Sequence, residues 1–134
     1  MKKISAEERL VNQKIVALID PCKTGAPAAI AAGRRRRRSF NHQCYRTALE
    51  YLIEYGNIPE IFLIHGELRF AGIVPHAWIE FSEDVIFDGT LQRYYQKACY
   101  YSRLLARKLK SYPLEVALRK WTNSGHYGPW ADEG

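Results

Sequence analysis

No stretch of the 134 residues approaches the roughly 18 consecutive apolar residues of a membrane span. The opening MKKISAEERL has two lysines but then meets Ser5, Ala6, Glu7 and Glu8, where a secretory signal needs an apolar region. That argues against export. Sulfur is scarce: Cys22, Cys44 and Cys99 are an odd number, with no CxxC pair and no metal-ligand spacing. The count predicts no disulfide framework, no metal centre and a reducing cytoplasm as the compartment. Excess charge is confined to one place. The formal net charge is +6, and Arg34, Arg35, Arg36, Arg37 and Arg38 supply five positive charges, so the rest is nearly balanced. No internal repeat is present.

What the chain does contain suits one domain, with 47% hydrophobic and 13% aromatic residues over a single-domain length. Ser5 and Glu8 have the form of a capping box, and Leu10, Val11, Ile15, Leu18 and Ile19 follow at helical spacing. Pro21 ends this helix, so residues 1–20 read as an N-terminal helix. Residues 21–40 hold small residues and the arginine run, and read as a basic linker or loop. Residues 41–134 carry the remaining pattern. A helix spans 44–55 with Ala48, Leu49, Leu52 and Ile53 as its buried stripe and Gly56-Asn57 as its stop. EIFLIH reads as a strand. HAWIEF and VIFD, joined through Ser82, Glu83 and Asp84, read as a β-hairpin. Leu91, Tyr94, Tyr95, Ala98, Tyr101, Leu105 and Leu109 predict a helix over 91–109. Pro113 opens a last helix with Leu114, Ala117, Leu118 and Trp121 on one face and Gly125 past its end. This order is that of an α+β domain with C-terminal helices.

The hairpin brings chemistry with it. His76, Trp78 and Glu80 alternate onto one face, and Asp84, Ile86 and Asp88 share a face of the returning strand. With an odd number of residues in the turn, His76 and Asp88 lie on the same side, opposite or diagonal, about 4.5–8 Å apart at Cβ. A carboxylate so placed accepts the imidazole N–H, sets the tautomer and leaves the other ring nitrogen as a base. An even turn would separate them. Cys44 stands where polar residues give way to a helix. Unpaired N–H groups at a helix start and a neighbouring imidazolium both favour a thiolate, the nucleophilic form. The same N–H groups suit a tetrahedral oxyanion. Cys44 as nucleophile, His76 as base and then acid, and Asp88 as orienter form a consistent set for acyl transfer.

These segments carry a resemblance. QCYRTA resembles the Gln-Cys-aromatic-x-x-Ala segment around the nucleophile of transglutaminases and the Cys-aromatic segment of papain-like peptidases. HAWIEF followed by VIFDGT resembles the His-Ala-Trp-Val-Glu and Val-Asp-Pro-Thr segments of the transglutaminase-like superfamily, in the same order Cys, His, Asp. The separations, thirty-two residues and then twelve, resemble those of small bacterial hydrolases such as the leader peptidases of lasso-peptide pathways. The resemblance covers roughly residues 41–90. It implies a nucleophile-bearing helix on a small antiparallel sheet, catalysis by Cys44, His76 and Asp88, the Cys44 backbone N–H in an oxyanion hole, and no cofactor. Gln43 is the candidate for a second oxyanion donor, and Trp78 and His42 for substrate contact. The chain departs from the family pattern at His42, where many members have Gly, and at Gly89, where Pro usually follows the Asp.

Each residue also has an ordinary reading. A cysteine at a helix start is often a small buried hydrophobe, Asp-Gly suits a turn, and Trp78 suits packing better than substrate contact. Glu80 reads as solvent-facing or paired with an arginine, Cys99 as structural, Cys22 as without a partner by spacing, and His65 and His42 as rivals for the base. The tail HYGPWADEG fits a packed clasp better than a cleft wall. The expected function is hydrolysis of a peptide or side-chain amide through a thioester. The alternative is a non-catalytic basic binding protein, with Arg34 to Arg38 contacting nucleic acid or an acidic partner.

Overall fold

The computed structural model describes residues 6–27, 30, 44–82 and 84–130. Ser5, the Arg34 to Arg38 run, His42, Gln43 and the last four residues lie outside them, so the readings made of those positions do too. Among the described residues, no helix is long and apolar enough to cross a membrane.

Among the described residues the chain builds one α+β domain around a six-stranded antiparallel sheet, in which Lys23–Thr24 (β1), Arg93–Gln96 (β5), Val85–Asp88 (β4), Val74–Glu80 (β3), Phe62–Leu68 (β2) and Ala106–Tyr112 (β6) lie side by side in that order. Helix α1, Ala6–Ile19, buries Ile15 and Ile19 but leaves Leu10 exposed. Pro21 follows in a 3-10 turn, Asp20–Cys22, because its ring cannot continue the α-helical ladder. Lys23–Thr24 (β1) then pairs with Tyr95 and Tyr94, so the segment read as linker begins with an edge strand.

Helix α2, Cys44–Tyr55, buries Ala48, Leu49, Tyr51 and Leu52. At about 100° per residue the stripe centres between Ala48 and Leu52. That turns Tyr51 inward and Ile53 outward, to 42% exposure, correcting the expected place of Ile53 in the stripe. Strand β3 (Val74–Glu80) lies at the centre of the sheet, between β2 (Phe62–Leu68) and β4 (Val85–Asp88). The β3–β4 loop is closed by the Phe81 N–H donating to the Val85 carbonyl at 3.0 Å. Three residues lie between them, an odd number, with Asp84 at φ +57° completing the reversal.

The expected helix over 91–109 is instead β5 (Arg93–Gln96), the short helix α3 (Lys97–Leu104) and β6 (Ala106–Tyr112). The apolar spacing there is compatible with a helix, but the open edges of β4 and β2 need backbone partners, and tertiary pairing overrides the local period. Leu105, at φ +50° and ψ +48°, breaks the chain out of α3 into β6. The C-terminal third therefore carries strands that complete the sheet as well as its expected helices. Helix α4, Leu114–Ser124, does start after Pro113 and end at Gly125, which takes φ +76°.

The alternation of β3 sets up two cores. Ala77, Ile79 and Phe81 face α2, α4 and the tail, with Leu49, Leu52, Leu63 and Ala117. Trp78 faces α1 and α3, with Ile19, Ile64, Tyr100 and Leu104. Two cysteines that no spacing rule pairs join here: Cys22 and Cys99 form a disulfide between the 3-10 turn and α3, with Cα atoms 5.5 Å apart. Their 77-residue separation carries no local signal, and an odd count leaves room for one bridge. This corrects the expectation of no disulfide and removes the cysteine-count argument for a reducing compartment. Cys44 remains the free thiol.

Candidate functional site

Asp88 is the last residue of β4, and the turn after it fixes its side chain. The Thr90 and Leu91 N–H groups donate to Oδ1 at 2.9 and 3.2 Å, and the Gln92 N–H donates to the Asp88 carbonyl at 2.7 Å. The Asp-Gly turn reading is correct, and the same turn aims Oδ2 inward. There the carboxylate accepts from His76 Nε2 at 3.0 Å and from the Tyr100 hydroxyl at 2.8 Å. Both partners are buried.

His76 reaches Asp88 through strand register. Ile79 pairs with Phe87 and Glu80 with Ile86, so continuing the ladder sets Trp78 opposite Asp88 and His76 on the diagonal. With Nε2 held by Asp88, Nδ1 is the ring nitrogen left for Cys44, whose side chain is near enough to favour the charged ring. Burial disfavours the imidazolium, but the Asp88 carboxylate and the Cys44 sulfur outweigh it and raise the His76 pKa to about 10. Burial likewise favours a neutral Asp88. The charge of His76 and the hydrogen bonds from His76, Tyr100 and the Leu91 N–H overcome it, holding the carboxyl below its usual range. Burial and the same carboxylate push the Tyr100 phenol well above its ordinary value.

Cys44 is the first residue of α2 and half-buried. The helix lies on the other face of the sheet, and its first turn comes up against the end of β4. Thr47 donates to the Cys44 carbonyl at 3.2 Å, and a Cβ at Gly89 would fall 2.6 Å from Thr47 Oγ1. Gly89 leaves room for this approach, because a side chain there would drive α2 away from the strand end. As the opening residue of an α-helix, Cys44 has a backbone N–H with no intrahelical acceptor.

The remaining candidates sort by position. Trp78 is fully buried in the core, and its indole N–H donates to Glu80 at 3.2 Å. Glu80 is buried rather than solvent-facing, and its cations are lysines, not arginine: Lys108 at 2.7 Å and Lys97 at 3.4 Å. The Tyr101 hydroxyl also donates to it. Burial favours a neutral Glu80, but these hydrogen bonds and the Lys108 charge hold the carboxyl below its usual range. His65 pairs with Ala77 in register, so it lies on the face opposite His76. Its ring meets Tyr45, Tyr112 and Trp130 at centroid distances of 4.8, 5.2 and 4.9 Å. The tail is a clasp: Trp130 is buried on Tyr112, Tyr127 stacks on Trp121, and the Arg46 guanidinium lies 5.5 Å over Tyr127. His42, Gln43 and Arg34 to Arg38 lie outside the described residues.

Tyr100 is the group that sequence reasoning missed. It lies within the span expected as a helix but off the apolar stripe read there, and no spacing rule links it to Asp88. Among the described residues, no group of three or more His, Cys, Asp and Glu is placed to hold a metal ion. Comparison with known proteins matches no family model, no curated protein and no solved structure.

Proposed function

We propose that this protein is a cysteine-dependent acyl-transfer enzyme of transglutaminase-like type, hydrolysing a peptide or side-chain amide bond. The observation that carries this reading is a buried imidazole bonded to a buried carboxylate that four donors hold, with a half-exposed free thiol near enough to favour the charged ring. Such an order is what nucleophilic catalysis by sulfur needs: a nucleophile, a proton carrier with one nitrogen free, and an anion that fixes the ring.

The thiolate of Cys44 attacks the amide carbonyl carbon, and the oxygen takes the negative charge beside the Cys44 backbone N–H. His76, charged at this stage, donates its proton to the departing amine as the C–N bond breaks. A thioester remains. Neutral His76 then takes a proton from water as the hydroxyl attacks the thioester, and returns it to the sulfur as the acid leaves. Asp88 stabilises the charged ring throughout. Hydrolysis is preferred to cross-linking because the small bacterial members that the chain resembles include peptidases.

Alkylation by iodoacetamide under non-reducing conditions tests the reading, because the bridge leaves Cys44 as the reactive sulfur. Near pH 6 Cys44 is expected to react at least about tenfold faster than a small free thiol, which is mostly protonated there. His76→Ala is expected to remove that advantage. A rate matching the free thiol and unaffected by His76→Ala ends the proposal.

A further inference from the structure

Resting on that cysteine-enzyme reading, we propose that Tyr100 is a positioning residue for the reaction: its hydroxyl locks the same Asp88 oxygen that the His76 ring uses. Oδ2 accepts from Tyr100 at 2.8 Å and from His76 at 3.0 Å, while Oδ1 accepts from the Thr90 and Leu91 N–H groups. An ionised carboxylate offers about four lone-pair sites, and here each has a donor. A protonated carboxyl would have to give up one of these contacts to make room for its own hydrogen. The donor set therefore selects the anion, and the anion is what keeps the imidazole in place.

Tyr100 differs from the other three donors in being separable. Two are backbone groups of the turn and one is the proton carrier itself. The Tyr100 ring is anchored independently of its hydroxyl, against Trp78 at 5.9 Å and Tyr95 at 5.7 Å between centroids. Its neighbour Cys99 is bonded to Cys22, which pins that turn of α3. Facing the buried pair are His76 from β3, Cys44 from α2 and Tyr95 from β5. On the α1 side the neighbours are the apolar Ile15 and Ile19. Loss of one donor from a buried carboxylate raises the pH at which it takes up a proton.

The experiment titrates the Asp88 carboxyl carbon by NMR in the wild-type chain and in Tyr100→Phe, alongside Cys44 alkylation by iodoacetamide over the same pH range. The ring packing survives this change. The Asp88 midpoint is expected to rise by about one pH unit, tenfold in the protonation equilibrium. Cys44 reactivity at the acid end is expected to fall in step. Incorporation of 3-fluorotyrosine at the same position keeps the shape but sharpens the donor, and is expected to move the midpoint down. This opposite shift carries the test if the phenylalanine variant does not fold. A fall in stability with the Asp88 midpoint unmoved in every folded variant assigns Tyr100 a packing role only and overturns the proposal. His76→Ala separates this from the reading beneath it. Cys44 reactivity indifferent to His76→Ala removes the enzyme, whereas a normal His76 effect with an unmoved Asp88 midpoint removes only the role of Tyr100.

Discussion

His76 keeps its proton to about pH 10 in the folded chain, against an ordinary 6.5 when unfolded. Its contribution to stability is therefore whole below about pH 6.5 and is lost as the pH climbs toward 10. Asp88 works at the other end. Its folded value lies below the ordinary 3.8, so its contribution is whole above that and is lost as the pH falls through the folded value. The two describe one interaction seen from its two partners, and the pair is strongest between those limits. Urea unfolding of the wild type and His76→Gln at about pH 6.5 and about pH 9.5 reads this directly. The wild-type advantage is expected to shrink at the higher pH; an equal gap at both contradicts the assignment. Asp88→Asn keeps the shape but removes the anion, and is expected to slow Cys44 alkylation about tenfold or more. The side-by-side placement of His76 and Asp88 was legible in the sequence, because an odd three-residue loop leaves both on one face. Tyr100 was not, because hydrogen bonds between distant segments leave no trace in local spacing.

Elements were legible where one segment decides its own structure. Helix α4 has Pro113 before it and Gly125 after it, and both signals act within a few residues. The stretch from β5 to β6 failed for the opposite reason. Its tyrosines and leucines fit a helical period, but its backbone groups are satisfied by β4 and β2, which are remote in sequence. The Cys22–Cys99 bridge depends on that same refolded region. A thiol count checks it: the native, unreduced chain is expected to give one titratable thiol, and the reduced, unfolded chain all three. Three reactive thiols before reduction contradict the bridge. The close approach of α2 to the end of β4 makes a second prediction. Gly89→Ala puts a methyl 2.6 Å from Thr47 Oγ1 and 3.1 Å from its backbone carbonyl carbon. Overpacking of this kind destabilises by about 1–3 kcal/mol, measurable as a lower urea midpoint. An unchanged midpoint means that α2 does not sit there.

Across the whole molecule, the sheet separates two cores and brings the site together at its middle. Cys44 arrives from the helix on one face, while His76, Asp88 and Tyr100 belong to the other. The α+β class follows from the order of helices and strands, but the two-faced division requires the register of β3 and the late strands that close the sheet. A thiol meeting an imidazole from across the sheet is useful only if the sulfur can be acylated and then released. The most direct measurement is intact-mass analysis of the unreduced protein after exposure to p-nitrophenyl acetate. The account predicts one acetyl group on Cys44 that forms and clears in the wild type, is absent in Cys44→Ala, and is slow to form in His76→Ala. An acetyl group that never appears on Cys44, or appears there equally fast without His76, contradicts it.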